Sequence, residues 1–500
     1  MATRVVGARL WVDWDFDGTY TNETAYLVDA SGDMRLTPPG AGQFNASGII
    51  SQMRLTLHNP AGRFSPQRTD GALYADIRDG KSYHAPCYLE VTIDGGSSYD
   101  RVFTGVLKLP QETTLTRDRT PAVTFDARSL EERYLQQRVS VLQATFAAQH
   151  AAGYTESDYI DAWLQAAGVD AGDITADGGL FVVPWAWLDD ESAIEEAWRL
   201  AAACGGRLYA DPDGQFIFEN MAHWQTATRS TTTQLAITRA GMDSFELRLD
   251  DGDLYNVVTV EASPRAPGGA DVIWEPDDLP LVAPGATVTI TARFDAAAAA
   301  IAGIDYEAAD DGGNSQTANV TVTPTYYAQR ADLVVVNASN VRVRLFPLRI
   351  IGQALVGGPE IEERRTSADD GANQAFFDDR GDRTLSVRGN AYMQTRAHAA
   401  TVAQYLLDRC EYPRLTAMCG GVPGEPALRL GDRVTVTDAP TMSSTFTGYV
   451  TAINWTMDKD GFRQDLEILQ ASQLYPNDNN YFVLGTHTFS SNRYVFYRWP

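Results

Sequence analysis

Three aspartates at alternate positions, in Asp13-Trp14-Asp15-Phe16-Asp17-Gly18, have the spacing in this chain that best fits a chemistry. They match the first six positions of a calcium loop, where alternate carboxylates converge on the ion and glycine allows the turn. The twelfth position, which needs a bidentate glutamate, is Thr24, so a solvated turn is the expectation and no metal or other cofactor is assigned. Gly80-Lys81-Ser82 matches the end of a phosphate-binding loop, but Ala75 stands where its leading glycine belongs. Carboxylate pairs at Asp189-Asp190, Asp277-Asp278 and Asp310-Asp311 have the composition of a glycosidase centre. Each sits in a loop beside Gly, Pro or a helix start, where capping and hydration account for it, and Asp190 is placed to cap a helix after Ser192. The six histidines are scattered singly, and neither a Gly-x-Ser-x-Gly elbow nor a His-Glu-x-x-His pair occurs. Cys87, Cys204, Cys410 and Cys419 lack zinc spacing and read as buried small hydrophobes. No catalytic residue is assigned, and the chain is not expected to be an enzyme.

The elements that carry these residues are mostly strands. Leu89-Glu-Val-Thr-Ile-Asp94 returns through a turn into Phe103-Thr-Gly-Val106, and Arg433-Val-Thr-Val-Thr-Asp438 returns into Phe446-Thr-Gly-Tyr-Val450. Each is an alternating strand that ends at aspartate and pairs with a strand opening in Phe-Thr-Gly, which predicts one hairpin module used twice. At 500 residues the chain exceeds a single core and predicts three or four domains. The 65 acidic residues outnumber 40 basic ones, and the net charge of −25 argues against a surface that grips nucleic acid through phosphates. No run of eighteen apolar residues occurs and Met1–Gly7 lacks a signal-peptide pattern, so a protein made in a cytoplasm without membrane insertion is expected.

The predicted class is mainly β with α+β insertions, in a multidomain chain. Residues 1–130 form a first β module, in which Met53–His58 alternates as a half-buried strand and Asn59-Pro-Ala-Gly62 fits a type I turn. Residues 131–228 form a small α+β domain. Ser129–Glu132 reads as a capping box, Thr155–Asp158 heads a second helix stopped by Gly168, and a third carries Ile194, Ala197, Trp198 and Ala201 on one face. Asp211-Pro-Asp-Gly214 turns the hairpin that follows. Residues 229–264, starting a new strand set at Asp253–Val260, and 358–472 make up a second module, with an amphipathic helix from Thr395 to Cys410 stopped by Pro413. Residues 265–357 read as an inserted β-sandwich in which the run Asp295–Ala302 is a helical turn or a loop. Residues 473–500 are an aromatic C-terminal arm expected to dock on a neighbouring subunit or to lie as a strand against its own last module.

Val12–Gly18, Leu55-Thr-Leu-His-Asn-Pro-Ala-Gly-Arg-Phe-Ser-Pro66, Leu73-Tyr74 with Asp79-Gly80, and Phe103-Thr-Gly105, in that order, resemble the hub proteins of bacteriophage tail tips, also called baseplate hubs. The α+β stretch resembles the second domain of those hubs in its Gly205-Gly206, Tyr209, Asp213-Gly214 rhythm. The resemblance implies two tail-tube-like β-barrel or sandwich modules in one chain and a structural role in the virion, with assembly in the host bacterial cytoplasm. It further implies a homotrimer whose pseudo-six-fold face adapts the tail tube to three-fold tip proteins. The partners would be a distal tail or tail-tube protein above and tip, spike or fibre proteins below. DNA and the tape-measure protein would pass through its channel without specific binding. Alternatives from the residues are a receptor- or glycan-binding tail protein using aromatics such as Trp274, and a tail-associated cell-wall hydrolase.

Overall fold

The computed structural model describes residues 4–471 apart from 38–47, 79–83, 114–120, 251–253, 368–380, 413, 441 and 443–444. The aromatic arm, the Gly80-Lys81-Ser82 stretch, Asp79 and Pro413 therefore lie outside the described residues.

In chain order the first strands are β1 (Gly7–Val12), β2 (Thr21–Asn22), β3 (Leu27–Arg35), β4 (Gln52–His58), β5 (Pro86–Thr92), β6 (Asp100–Leu107), β7 (Gln111–Thr113) and β8 (Ala122–Ser129). β4 shows why they form: Met53, Leu55 and Leu57 are buried while Gln52, Arg54 and His58 face solvent, the two-residue period of a half-buried strand. At Asn59–Gly62 Pro60 opens the turn, but Ala61 has φ 53°, so it is type II and not the type I that the residues suggested. The buried Asn59 fixes it, donating to Ser65 Oγ at 2.8 Å and accepting from Phe64 N at 2.9 Å.

The α+β region holds β9 (Arg138–Ser140), β10 (Ile174–Ala176), β11 (Asp189–Ser192), β12 (Arg207–Ala210) and β13 (Phe216–Glu219). The helix Glu156–Ala166 starts where Thr155–Asp158 was expected to head it, at a capping box formed by Thr155 and Asp158. The helix Ala193–Ala203 is capped by Ser192, which accepts from Glu195 N, whereas Asp190 lies in β11 and caps nothing there. Ser129 belongs to β8, and the short helix after it begins without a side-chain cap.

Next come β14 (Thr233–Thr238), β15 (Ser244–Asp250) and β16 (Val257–Ala262). The insertion contains β17 (Arg265–Pro267), β18 (Asp271–Trp274), β19 (Leu281–Val282), β20 (Thr287–Arg293), β21 (Ala298–Asp310), β22 (Val320–Tyr326), β23 (Arg330–Asn337) and β24 (Val343–Gly357). They make a five-stranded and a three-stranded sheet that share a core around Val282, Leu333, Leu345 and Ile350. The alanine run is strand from Ala298 onward, paired with β24, because tertiary pairing outweighs alanine's helix preference.

The chain ends its described part with β25 (Ile361–Thr366), β26 (Thr384–Val387), the helix Arg396–Cys410, and β27 (Arg414–Pro423), β28 (Arg433–Thr437), β29 (Phe446–Asp458) and β30 (Gly461–Gln470). The strand set beginning near Asp253, read with the second module, goes elsewhere: β16 pairs with β25 and β26 in a separate three-stranded sheet. Five of its six residues are buried, so it needs cover on both faces. The helix Arg396–Cys410 supplies part of that cover through Ala399, Val402 and Leu406, in a core shared with the α+β helices.

The remaining strands build one 14-stranded sheet, so the architecture is mainly β, and among the described residues no barrel is closed. Its two halves repeat one plan. β1, β3, β4, β5, β6 and β8 pair as β1–β5, β3–β4, β4–β8, β5–β6 and β6–β8. β14, β15, β27, β28, β29 and β30, in the same chain order, pair as β14–β28, β15–β27, β27–β30, β28–β29 and β29–β30. The first of these ladders is antiparallel in one half and parallel in the other; the rest are antiparallel in both. The far end of β29 pairs with β3 and joins the halves. Among the described residues no helix is long and apolar enough to cross a membrane.

Candidate functional site

The two hairpins share one register over Phe-Thr-Gly, although the first has a bulge at Val102 that the second lacks and its aspartate lies three positions farther from the shared pairs. Leu89 faces Phe103 and Cys87 faces Gly105 in the first; Val436 faces Phe446 and Val434 faces Gly448 in the second. On their other side Gly105 pairs with Ser129 and Gly448 with Gln470. A Cβ at Gly105 would lie 2.0 Å from the Arg128 carbonyl oxygen, and one at Gly448 2.5 Å from that of Leu469. Both glycines thus answer one steric demand, a neighbouring backbone too close for any side chain. A one-residue slip follows each, between Leu107 and Gln111 in one ladder and between Val450 and Ala452 in the other.

The first hairpin turns on Asp94, whose carboxylate accepts from Thr92 Oγ1 at 2.6 Å, Ser97 N at 2.9 Å and Ser98 Oγ at 2.8 Å. These donors hold its carboxyl well below the usual range, with the Thr92 hydroxyl first among them. In the second, the buried Asp438 accepts from Arg239 at 2.8 Å.

The small domain ties the first hairpin and the loop ahead of the second to one turn. Thr104 Oγ1 donates to Pro212 O at 2.6 Å and Arg101 to Asp213 O at 3.2 Å, while Arg429 from the second half reaches the Asp213 carboxylate at 2.9 Å. Beneath it the buried Glu219 accepts from Arg207, Tyr209 Oη and Trp224 Nε1 at 3.2, 2.9 and 3.1 Å, and Trp224 stacks on Tyr449. Sequence patterning missed Glu219 and two further buried acids, because carboxylates read as surface residues. Glu156 accepts from Leu180 N and Phe181 N at 2.7 and 2.9 Å. Burial pushes the Glu131 carboxyl up to about 7 although it accepts from Ala210 N.

The structure brings Asp13, Asp15 and Asp17 together, with carboxylate oxygens within 4.8 Å of one another. Gly18 N donates to Asp13 Oδ2 at 3.1 Å and Thr19 N to Asp17 Oδ1 at 2.6 Å. These are oxygen donors of the kind a hard cation takes. Thr24 is turned away, its Oγ1 accepting from Leu10 N, and Glu23 is held by Arg63 and Trp14. The carboxylate pairs are dispersed: Asp189 meets Arg330 at 3.3 Å, Asp311 meets Arg342 at 2.6 Å, and Asp310 accepts from the amides of its own turn. All four cysteines are buried and none is in a disulfide among the described residues, with burial raising the Cys419 thiol to about 12.

No family model and no curated protein matches the chain. Among solved structures it is similar to a tail protein from Neisseria meningitidis MC58, at 9% identity and TM-score 0.48 over 93% of this chain and 97% of that one. It is also similar to a 43 kDa tail protein of prophage MuSo2 from Shewanella oneidensis, at 11% identity and TM-score 0.46 over 94% and 99%. A third, from E. coli, is described as a type VI secretion component with structural similarity to T4 tail proteins gp27 and gp5, at 7% identity and TM-score 0.37 over 90% and 75%. At such scores the function has to be argued from this chain's own residues.

Proposed function

We propose that this chain is a structural hub of a bacteriophage tail tip, a homotrimer whose six modules form a pseudo-six-fold ring. The observation that carries this reading is the doubled unit: two sets of six strands, paired alike, each with a pinched Phe-Thr-Gly strand, joined edge to edge in one sheet. Three chains with two such units offer six near-equivalent faces on one side and three-fold symmetry on the other. That matches the adaptor role implied by the residues around Leu55–Pro66 and Phe103–Gly105. The ring would mate with a tail-tube or distal tail protein above and with tip, spike or fibre proteins below, and DNA would cross its centre. A net charge of −25 per chain disfavours adhesion of DNA to the channel wall.

The receptor-binding and hydrolase readings have less behind them. Trp274 is half-buried against the sandwich core, and Asp189, Asp310 and Asp311 are spent on arginines and turn amides. The deciding experiment is the native mass of the purified protein with a low-resolution image. Three copies around a central hole are expected; a solitary chain at every concentration would overturn the proposal.

A further inference from the structure

The internal joint is a template for a joint between copies. Within the chain, β29 meets β3 with Asn454 opposite Asp33, Ile453 opposite Met34 and Ala452 opposite Arg35. The shared ladders assign each of these residues a counterpart. Through the Gly105–Gly448 equivalence, Leu109, Pro110 and Gln111 stand for Ala452, Ile453 and Asn454, and β7 pairs with β8 as that part of β29 pairs with β30. Through the β4 and β27 ladders, Arg248, Leu249 and Asp250 stand for Asp33, Met34 and Arg35.

Inside the chain these two edges have no partner among the described residues: β15 pairs with β27 alone and β7 with β8 alone. The burial record agrees. Met34 and Ala452, at the internal joint, are 5% and 1% exposed; their counterparts Leu249 and Leu109 are 65% and 55% exposed. Adjacent pairs in an antiparallel ladder point to opposite faces, so the two leucines leave an apolar position open on each face of the sheet. An unpaired strand edge flanked by such residues is a template for another chain.

We propose that β15 of one copy pairs antiparallel with the β6–β7 edge of a second copy of this chain, in the internal register, with Gln111 opposite Arg248 and Pro110 opposite Leu249. The contact is head to tail, so repeating it generates a ring when the rotation closes. Arg248, ion-paired to Glu246 on its own strand at 2.7 Å, presents a self-neutralised edge to the incoming copy. The inference deepens the ring reading above and rests on it, naming which surfaces close the ring.

The test is disulfide trapping in the full-length chain, whose native cysteines are buried. Opposed residues in an antiparallel ladder have Cβ atoms about 5 Å apart, close enough for a disulfide to form. Under mild oxidation Gln111→Cys with Arg248→Cys is expected to give covalent multimers, and Gln111→Cys with Leu249→Cys, one residue out of phase, at least about tenfold less. Leu249→Glu, at an exposed position, is expected to leave the far-ultraviolet circular dichroism of the folded chain unchanged and to shift the native mass to a single chain. If the native mass shows several copies but the in-phase pair does not cross-link, or Leu249→Glu leaves the mass intact, this edge assignment is overturned while the ring reading stands. A chain that is solitary before any substitution overturns both.

Discussion

At Gly105 and Gly448 a single methyl group tests whether the two hairpins are built alike. Overpacking against a backbone that cannot retreat costs about 1–3 kcal/mol, so both Gly105→Ala and Gly448→Ala are expected to lower the melting temperature. Gly105→Ala should cost more, since its Cβ would approach a carbonyl oxygen to 2.0 Å against 2.5 Å at Gly448. Gly269→Ala, where nothing lies within 4 Å, is the control, and a melt as low as that of the hairpin variants would discount the steric account. His398 supplies a second test, in pH. Its ring is buried, stacks on Phe181 and meets Ala203 O at 3.1 Å, and burial pushes its pKa down to about 4 from 6.5. The unfolded chain then takes up a proton that the folded chain refuses, so this contribution to stability is complete above pH 6.5 and lost as pH falls toward 4. The loss amounts to up to about 3 kcal/mol. Urea unfolding across that window should show it, and His398→Gln should flatten the acid limb. Phe-Thr-Gly was legible in the sequence because close backbone contact admits one residue type. Glu131, Glu156 and Glu219 were not, because nothing in a run of letters distinguishes an acid that meets solvent from one that collects buried donors.

Among the elements, the inserted sandwich is the one whose removal is best defined. Its ends meet: Arg265 pairs with Gly357, and Gly358 N donates to Pro264 O at 2.8 Å. Linking Pro264 to Gly358 through a short Gly-Ser bridge is therefore expected to leave the 14-stranded sheet folded, with its far-ultraviolet circular dichroism still dominated by strand. The excision exposes apolar surface, since Ala297, Ala299, Ala328 and Leu355 belong to the core of the α+β helices, and it removes the Arg330–Asp189 pair. A lower melting temperature with retained cooperative unfolding is the expected result, and a chain that no longer folds would make the sandwich part of that core. Much at this scale was legible. Thr155 and Asp158 announce their helix because a capping box satisfies two orphan amides at once. Asp211–Gly214 announces its turn because Gly214, with φ 89°, takes a backbone conformation other residues avoid. The strand at Ala298 and the departure of β16 into its own sheet were not legible, because alanine is neutral between pairing partners and an apolar strand does not name its neighbour.

For the whole molecule, assembly sets backbone pairing and apolar contact at the edges against the repulsion of copies that each carry a net charge of −25. The two contributions respond differently to salt. Repulsion between exposed charges reaches about 30 Å at 0.01 M salt and about 3 Å at 1 M, whereas strand pairing and leucine burial at the joint are little screened. Raising sodium chloride from 10 mM to 0.5 M should therefore tighten self-association, which sedimentation velocity at a series of protein concentrations would measure. A joint held mainly by ion pairs between copies would loosen over the same range. Such an outcome would move the contact away from Leu109 and Leu249 toward charged surfaces elsewhere. The Leu249→Glu chain sharpens the comparison: with its edge blocked it should stay a single chain at 0.5 M salt. If salt alone restored the assembly, charge and not edge complementarity would be what selects the partner.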